Sequence, residues 1–227
     1  MTVSNGAFVT LVGPSGCGKS TLFNIVAGLD VPGSGEVILD GDSNGTRAGK
    51  VGYMPQAPSL LPWRTVEENV LLGPDVLHRS RAQAREQVHD MLKQFGLDEF
   101  AHHYPSTLSG GMRQRVALLR TILFNQTLLL LDEPFGALDA LTRISLQMWL
   151  LDVWQQFRSS VLFITHDVRE AILLSDRIYV LSARPATVLR TVDIDLPRPR
   201  RRDHLARPEA VALEQELLSL LMREQRL

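Results

Sequence analysis

Gly13-Pro-Ser-Gly-Cys-Gly-Lys19-Ser20 is the most informative stretch of this 227-residue chain. It follows a short apolar run, Phe8–Val12, and leads into residues 19–29, whose apolar side chains recur at helical spacing. A strand, a glycine-rich loop and a helix in this order are typical of a phosphate-binding loop, because glycines let backbone N–H groups curl around a phosphate chain. This placement favours a nucleotide site over a tight structural turn. The sequence therefore predicts a nucleoside triphosphate as the ligand.

Each part of this loop has an expected contact. Lys19 can reach the β- and γ-phosphates, Ser20 can offer its hydroxyl to Mg²⁺, and the N-terminus of the following helix adds partial positive charge. The predicted nucleotide-binding residues of the loop are Gly13, Pro14, Ser15, Gly16, Cys17, Gly18, Lys19, Ser20 and Thr21.

Two adjacent carboxylates follow the apolar run Leu128–Leu131. Strand alternation sends Asp132 and Glu133 in different directions, so the two acids can do different work. Asp132 is suited to hold Mg²⁺, and Glu133 can accept a proton from the water that attacks the γ-phosphate. The alternative is that both acids only cap the strand or the next helix. With a phosphate-binding loop present, we expect hydrolysis.

Helices and strands alternate strictly in the second half of the chain. Continuous apolar strands in this arrangement favour a mostly parallel sheet with helices on both faces, an α/β fold. The predicted helices are 114–124 and 140–157, and the predicted strands are 128–131, 160–164 and 177–182, followed by an edge strand whose alternation spans residues 192–196.

The first half of the chain is more mixed. Strands are predicted at residues 36–40 and 51–54. Thr65 and Glu68 form a capping-box pattern that predicts a helix from Val66 towards Leu72, ended by Gly73-Pro74. A second helix is predicted between Ser80 and Phe95, and an amphipathic helix near the end, at about 208–224.

Composition excludes several classes of protein. With a net charge of −1, the chain has no overall positive electrostatic field that would attract nucleic acid, so we expect no nucleic-acid partner. The basic run Arg198-Pro-Arg-Arg-Arg202 is better explained as solvated surface than as a binding patch. The single cysteine cannot form an internal disulfide. Apolar runs are too short to span a bilayer, and the first residues do not have the pattern of a secretory signal. These features predict an intracellular protein.

Leu108-Ser-Gly-Gly-Met112, followed by Arg113-Gln114-Arg115, resembles the signature motif of the ABC transporter ATPases. In physical terms, the stretch would expose amides at the head of a helix, a second place suited to an anion. An ordinary glycine-rich helix start is the alternative. The resemblance implies a head-to-tail dimer with a second copy of the chain, in which Ser109, Gly110 and Gly111 touch the γ-phosphate held by the partner subunit's Lys19.

Other positions of that family's pattern are filled in order. The resemblance implies that Gln56 senses Mg²⁺ and the attacking water, that Asp139 belongs to the nucleotide-binding set, and that His166 holds the γ-phosphate. A lone histidine beside an aspartate is more often structural, but this one follows a predicted strand end. The implied sets are Glu133, His166 and Lys19 for catalysis, and Ser20, Gln56 and Asp132 for the metal. Residues 56–68 would touch a membrane subunit.

Finer features resemble the ATPases of nitrate, sulfonate and taurine importers. They are Leu61-Pro-Trp-Arg64, residues 135–142 and Arg198-Pro-Arg, while residues 118–124 resemble a branch associated with pyrimidine precursors of thiamine. The resemblance implies a bacterial uptake system in which this chain lies at the cytoplasmic face of the inner membrane. Its expected partners are transmembrane permease subunits and, indirectly, a periplasmic or lipid-anchored substrate-binding protein. A soluble non-transport ABC ATPase and a non-catalytic regulatory module are the alternatives.

The resemblance also implies the domain plan. We expect a single domain with a P-loop NTPase (RecA-like) core at about 1–66 and 113–196, a helical subdomain at about 67–112 and a C-terminal helix. Family members usually carry two more strands and an aromatic residue ahead of the loop, and this residue stacks on adenine. Residues 1–6 contain no aromatic residue, so either the N-terminus is truncated, which we expect, or the chain binds ATP weakly through its phosphates alone.

Overall fold

The computed structural model describes residues 1–43, 47, 49–124, 127–157 and 159–224. Its described strands form one six-stranded sheet in the order β2-β3-β4-β1-β5-β6. The first five strands of that order run parallel, and β6 pairs antiparallel with β5 at the edge. The strands are β1 (Phe8–Val12), β2 (Val51–Met54), β3 (Leu128–Asp132), β4 (Ser160–Ile164), β5 (Arg177–Leu181) and β6 (Val188–Asp193).

Helices cover both faces of this sheet. They are α1 (Lys19–Ala27), α2 (Val66–Val70), α3 (Leu72–Val76), α4 (Arg81–Gln94), α5 (Gly110–Leu123), α6 (Ala140–Phe157), α7 (Val168–Leu174) and α8 (Pro208–Glu224). Short 3₁₀ helices lie at Asp98–Phe100, Pro105–Thr107 and Arg202–Ala206. Among the residues that the structure describes, no helix is both long and apolar enough to cross a membrane.

Strand alternation divides the core into layers. Leu128 and Leu130 of β3 pack with Phe23 of α1 on one face, whereas Leu129 and Leu131 pack on the other face with residues of α5 and α6. A further apolar cluster lies where α7 and α8 meet β1 and β5. Because both faces are covered, the central strands β1, β3 and β4 are buried at every position, as the sequence predicted for a parallel sheet. The α/β fold with helices on both faces is confirmed.

The helices between β2 and β3 begin with a well-formed cap. Thr65 Oγ1 accepts a hydrogen bond from the Glu68 backbone N–H at 3.3 Å, and Glu68 Oε2 accepts one from the Thr65 N–H at 2.9 Å. This capping box is the one that the sequence predicted. The predicted domain boundary at Met112 falls inside α5, and the division into core and helical subdomain stays a prediction.

Two expectations for the first half were wrong. Residues 36–40 do not form a strand: their only ladder contact among the described residues is an isolated bridge between Leu39 and Asp42, and Ile38 is 60% exposed. Gly73-Pro74 does not end a helix either, because both residues lie in the first turn of α3. The N–H that proline lacks has no intrahelical partner at that position, so proline is tolerated there.

Two elements also have other boundaries than predicted, and one helix was missed. The helix predicted from Gln114 begins at Gly110, with Ser109 as its N-cap. The edge strand is β6, so it begins and ends earlier than the predicted alternation, which continues beyond Asp193 as irregular chain. Helix α7 was not predicted, although Asp167 and Glu170 have the spacing of a helix start, and the Asp167 side chain caps the helix by accepting hydrogen bonds from Arg169 N and Glu170 N.

Candidate functional site

Four groups of sequence-predicted site residues lie at the ends of four neighbouring strands. β2, β3, β4 and β1 are parallel, so their carboxyl ends meet at one edge of the sheet. Gln56 follows β2, Asp132 ends β3, His166 follows β4, and the glycine-rich loop follows β1. Residues far apart in the sequence are therefore brought together by strand order.

The glycine-rich loop depends on its glycines at two points. A Cβ on Gly13 would lie 3.0 Å from the Leu181 Cβ and 3.1 Å from the Leu181 carbonyl oxygen, closer than real Cβ atoms normally approach. Gly18 caps α1 with φ 111°, a backbone conformation that residues with side chains rarely adopt. The chain can thus turn sharply and direct its amides towards the start of α1.

Lys19 is buried at the first position of α1 and is 8% exposed. Its Nζ donates hydrogen bonds to the carbonyl oxygens of Gly13 and Pro14, both at 2.9 Å. It also lies 3.8 Å from the buried Cys17 Sγ. The ammonium group is therefore held over the loop, where a phosphate chain would need a positive charge.

Asp132 is a buried acid beside the start of α1. Burial raises its pKa above the ordinary aspartate value, the hydrogen bond with Ser20 and the charge of Lys19 lower it, and the neighbouring Glu133 raises it. Its carboxylate and the Ser20 hydroxyl are oxygen donors, the kind of ligand that Mg²⁺ prefers. The residues present therefore fit a magnesium site completed by phosphate oxygens and water.

Glu133 has an unusual backbone conformation. Its φ of 48° lies in the left-handed region, which is costly for a residue with a side chain. The strain is held by three hydrogen bonds: its N–H donates to Ile164 O at 3.0 Å, and its carbonyl accepts from Gly136 N at 3.1 Å and from Gln114 Nε2 at 3.2 Å. Strained residues fixed in this way are often functional.

The Glu133 carboxylate is the point where three strand ends converge. Gln56 Nε2 donates to Glu133 Oε2 at 3.1 Å, and His166 Nδ1 lies 3.5 Å from the same oxygen. The Glu133 side chain is 23% exposed, so it is open to water. The arrangement can take a proton from a bound water molecule and orient the groups around it.

Residues 109–111 form the start of α5. Ser109 caps the helix by accepting a hydrogen bond from Met112 N at 3.2 Å. Gly111 lies close to Leu138, so that a Cβ there would be 3.3 Å from Leu138 Cδ2. Ser109 and Gly110 are exposed, which leaves amides at the helix start accessible. Their predicted contact with a second copy's nucleotide stays a prediction.

Asp139 acts as a helix cap in this structure. Its Oδ1 accepts hydrogen bonds from Leu141 N at 3.1 Å and Thr142 N at 3.0 Å. The bonds with Thr142 hold the pKa of Asp139 below the ordinary aspartate value. Its predicted place among the nucleotide-binding residues stays a prediction.

The sequence argument missed two buried polar residues, one that holds the Glu133 backbone and one that holds the loop at residues 61–65. Gln114 lies within the quoted signature stretch, yet its contact with the Glu133 carbonyl could not be read from that stretch. Asn69 is fully buried: its Nδ2 donates to the carbonyls of Leu61, Arg64 and Thr65, and its Oδ1 accepts from Leu61 N. The only feature of the sequence that indicates burial of Asn69 is its position on the same helix face as the apolar residues Val66 and Val70.

A cleft of about 440 Å³ adjoins the glycine-rich loop. It lies between the start of α1 and the segment that joins β5 to β6, and Arg184 and Thr187 supply polar side chains there. None of the described residues that line it is aromatic.

Known proteins share both the sequence and this fold. The sequence pattern of the ABC transporter family matches residues 1–136. The chain is 46% identical over 198 residues to an aliphatic sulfonates import ATP-binding protein of Bacillus cereus, covering 87% of this chain and 78% of that protein. It is 43% identical over 224 residues to an ABC transporter ATP-binding protein of Methanocaldococcus jannaschii, covering 99% and 83%.

A solved structure agrees with these relatives. The chain matches an ATP-binding cassette, solved as a dimer in a post-hydrolysis state with ADP and Pi, at a TM-score of 0.77 and 32% identity, covering 87% of this chain and 89% of that one. A phosphate-binding loop beside a strand-end glutamate is typical of a P-loop nucleoside triphosphatase. The chain belongs to the ABC transporter family and is an ATPase of its ATP-binding type. The predicted resemblance to sulfonate-importer ATPases is confirmed.

Proposed function

We propose that this chain is the ATP-hydrolysing subunit of a bacterial ABC importer. The observation that carries the proposal is the convergence of Gln56 and His166 on the Glu133 carboxylate, at the sheet edge that also bears Lys19. The sequence similarity to an aliphatic sulfonates import protein supports a small sulfonate as the transported solute. Nitrate, taurine and a thiamine-precursor pyrimidine are the alternative solutes.

Binding begins at the glycine-rich loop. The backbone N–H groups of residues 13–18, apart from Pro14, surround the phosphates, Lys19 neutralises the β- and γ-phosphates, and Thr21 lies at the side of the cleft next to the loop. Ser20 and Asp132 would hold Mg²⁺, with Gln56 as a third oxygen donor, and the bound ion would supply charge neutralisation on the phosphate oxygens.

Hydrolysis then depends on Glu133. Its carboxylate takes the proton of the attacking water, while Gln56 orients the water and His166 stabilises charge on the γ-phosphate. The hydrogen bonds to the Glu133 backbone hold the carboxylate in a preorganised position. Little reorganisation is then needed during the reaction, which favours stabilisation of the developing charge.

A second copy of the chain completes the site in this proposal. The exposed start of α5 at Ser109 presents amides of the kind that bind anions, and α5 is long enough to have a substantial dipole. The dimeric state of the solved cassette supports a head-to-tail dimer in which each nucleotide contacts both copies.

The membrane partner would dock on the segment after Gln56. Trp63 is 70% exposed and Tyr104 is 50% exposed, and the two segments lie together because Val66 N donates to His103 O at 2.9 Å. The buried Asn69 side chain fixes the loop at residues 61–65 through its hydrogen bonds to that backbone. An exposed tryptophan on a fixed loop is typical of a contact surface for another protein. Transmembrane permease subunits are the proposed occupants, which places the chain at the cytoplasmic face of the membrane.

The remaining part of the proposed system is a periplasmic or lipid-anchored substrate-binding protein, which contacts the permease rather than this chain. Closure of the dimer around ATP would move the Trp63 loop, and hydrolysis would reopen it. Solute choice would then rest with the other subunits.

The test is Mg²⁺-dependent ATP hydrolysis by the purified chain and its Glu133→Gln variant. Glutamine can still accept the hydrogen bond from Gln56, so the variant removes the base with little change in shape. We expect the variant to lose at least about a hundredfold in kcat and to form an ATP-stabilised dimer, detected by light scattering. Hydrolysis by the variant at the wild-type rate would refute the role of Glu133.

A further inference from the structure

Glu170 is a buried carboxylate that the proposed mechanism does not use. It lies in the first turn of α7 and is 5% exposed. Its Oε2 accepts a hydrogen bond from the Thr165 hydroxyl, and its Oε1 accepts one from Gln147 Nε2 of α6 at 2.7 Å. A buried acid is costly unless donors satisfy it, so this residue invites a functional explanation.

Glu170 is hydrogen-bonded to the residues directly before and after His166 in the sequence, Thr165 and Asp167. Thr165 Oγ1, which donates to Glu170, accepts a hydrogen bond from Asp167 N at 3.0 Å. Asp167 Oδ1 in turn accepts from Arg169 N at 2.9 Å and Glu170 N at 3.2 Å. The residues on both sides of His166 are thus tied to one buried network, whereas the His166 side chain is 64% exposed.

The network also reaches the helix that follows Asp139. Gln147 is 7% exposed and lies on α6, which Asp139 caps at its start. Burial raises the pKa of Glu170, and the charged groups that act on it are Asp167 from the histidine loop and Arg143 from α6. Glu170 therefore joins the loop that carries His166 to α6, the helix that the predicted site residue Asp139 caps.

We propose that Glu170 is a positioning residue for His166, and that it fixes the loop 165–167 against α6 so that the imidazole lies beside Glu133. This inference rests on the proposed role of His166 in hydrolysis. Glu170 acts through hydrogen bonds and not by transferring a proton, since its contacts are to Thr165 and Gln147 and not to the carboxylate at the site.

The test compares Glu170→Ala, Glu170→Gln and Thr165→Val in the full chain, each alone and combined with His166→Ala. Thr121→Val is the matched control, because Thr121 is also buried and donates to Ala117 O within α5, away from the histidine. kcat and KM for ATP are measured, and thermal melting checks the fold of each variant.

We expect Glu170→Ala and Thr165→Val to lower kcat about tenfold or more with KM within about twofold, since small displacements of a catalytic group are costly. In the His166→Ala background neither should lower kcat further. Glu170→Gln should lose less than Glu170→Ala, because the Gln147 amide can rotate to accept from the new donor. Thr121→Val should retain kcat.

Equal losses in both backgrounds would overturn the proposal, because a general structural role would not depend on His166. Glu170→Gln as impaired as Glu170→Ala would overturn the hydrogen-bonding role. ¹⁵N-histidine NMR gives a readout independent of turnover: we expect the His166 resonances to shift in Glu170→Ala and Thr165→Val but not in Thr121→Val. Unchanged resonances would refute the positioning role. A wild-type rate for His166→Ala would instead refute the proposed function, and the NMR result would still decide the role of Glu170.

Discussion

Replacing Glu133 with glycine should abolish hydrolysis and yet give a more stable protein than replacing it with alanine. Both variants remove the carboxylate and its hydrogen bond with Gln56. They differ in the cost of holding φ at 48°, which glycine adopts freely and alanine does not. The comparison therefore isolates the strain that the active site stores.

The size of the difference follows from two opposing effects. The left-handed conformation costs a residue with a Cβ about 1–2 kcal/mol. Glycine loses more conformational freedom on folding than alanine, and this entropy cost cancels about 0.4–1 kcal/mol of that advantage. Glu133→Gly should therefore be more stable than Glu133→Ala by about 1 kcal/mol, which corresponds to a higher Tm by about 2–4 °C for a chain of this size.

Urea unfolding and calorimetry of the two variants measure this difference, and ATP hydrolysis shows that both are inactive. Tyr104 supplies the control pair, because it is half exposed and has an ordinary φ of −87°. There the glycine variant should be the less stable of the two. If Glu133→Gly were also less stable than Glu133→Ala, the backbone of Glu133 would not be strained and the reasoning would fail.

Three further outcomes are expected. Asp132→Asn should abolish Mg²⁺-dependent hydrolysis but raise Tm at pH 7. Burial raises the folded-state pKa of Asp132, so ionisation of this carboxyl destabilises the fold as pH rises. The gain in Tm should therefore shrink when melting is repeated towards pH 4, and a gain independent of pH would contradict this reasoning. Asn69→Ala should lower stability to urea by about 3 kcal/mol, since it leaves several loop carbonyls and an amide without their buried partner, and a loss below about 1 kcal/mol would show that these bonds are replaced. ATP and GTP should have KM values within about tenfold, because the proposed contacts of the glycine-rich loop and Lys19 are to phosphates that both nucleotides share, and the described lining of the cleft has no aromatic side chain to strengthen binding of a base; strong preference for ATP would refute this.

Much of the fold could be predicted because its signals are local. The run Leu128–Leu131 is apolar at every position, which is typical of a strand covered on both faces, and Thr65 with Glu68 specifies a helix start within four residues. The expected strand at residues 36–40 failed for the opposite reason. Alternation describes a surface that could pair, but pairing needs a neighbouring strand, and no described strand lies beside this segment.

The sequence by itself determined the chemistry: a glycine-rich loop with Lys19 and Ser20, two acids at a strand end, and a histidine after another strand. These residues are recognisable because their spacing along the chain is fixed by a single turn or strand. Only the tertiary structure decided what holds them. The contacts from Gln114 to the Glu133 carbonyl and from Gln147 to Glu170 join residues 19 and 23 positions apart. Such contacts depend on strand order and helix packing, which bring together side chains that no local pattern connects.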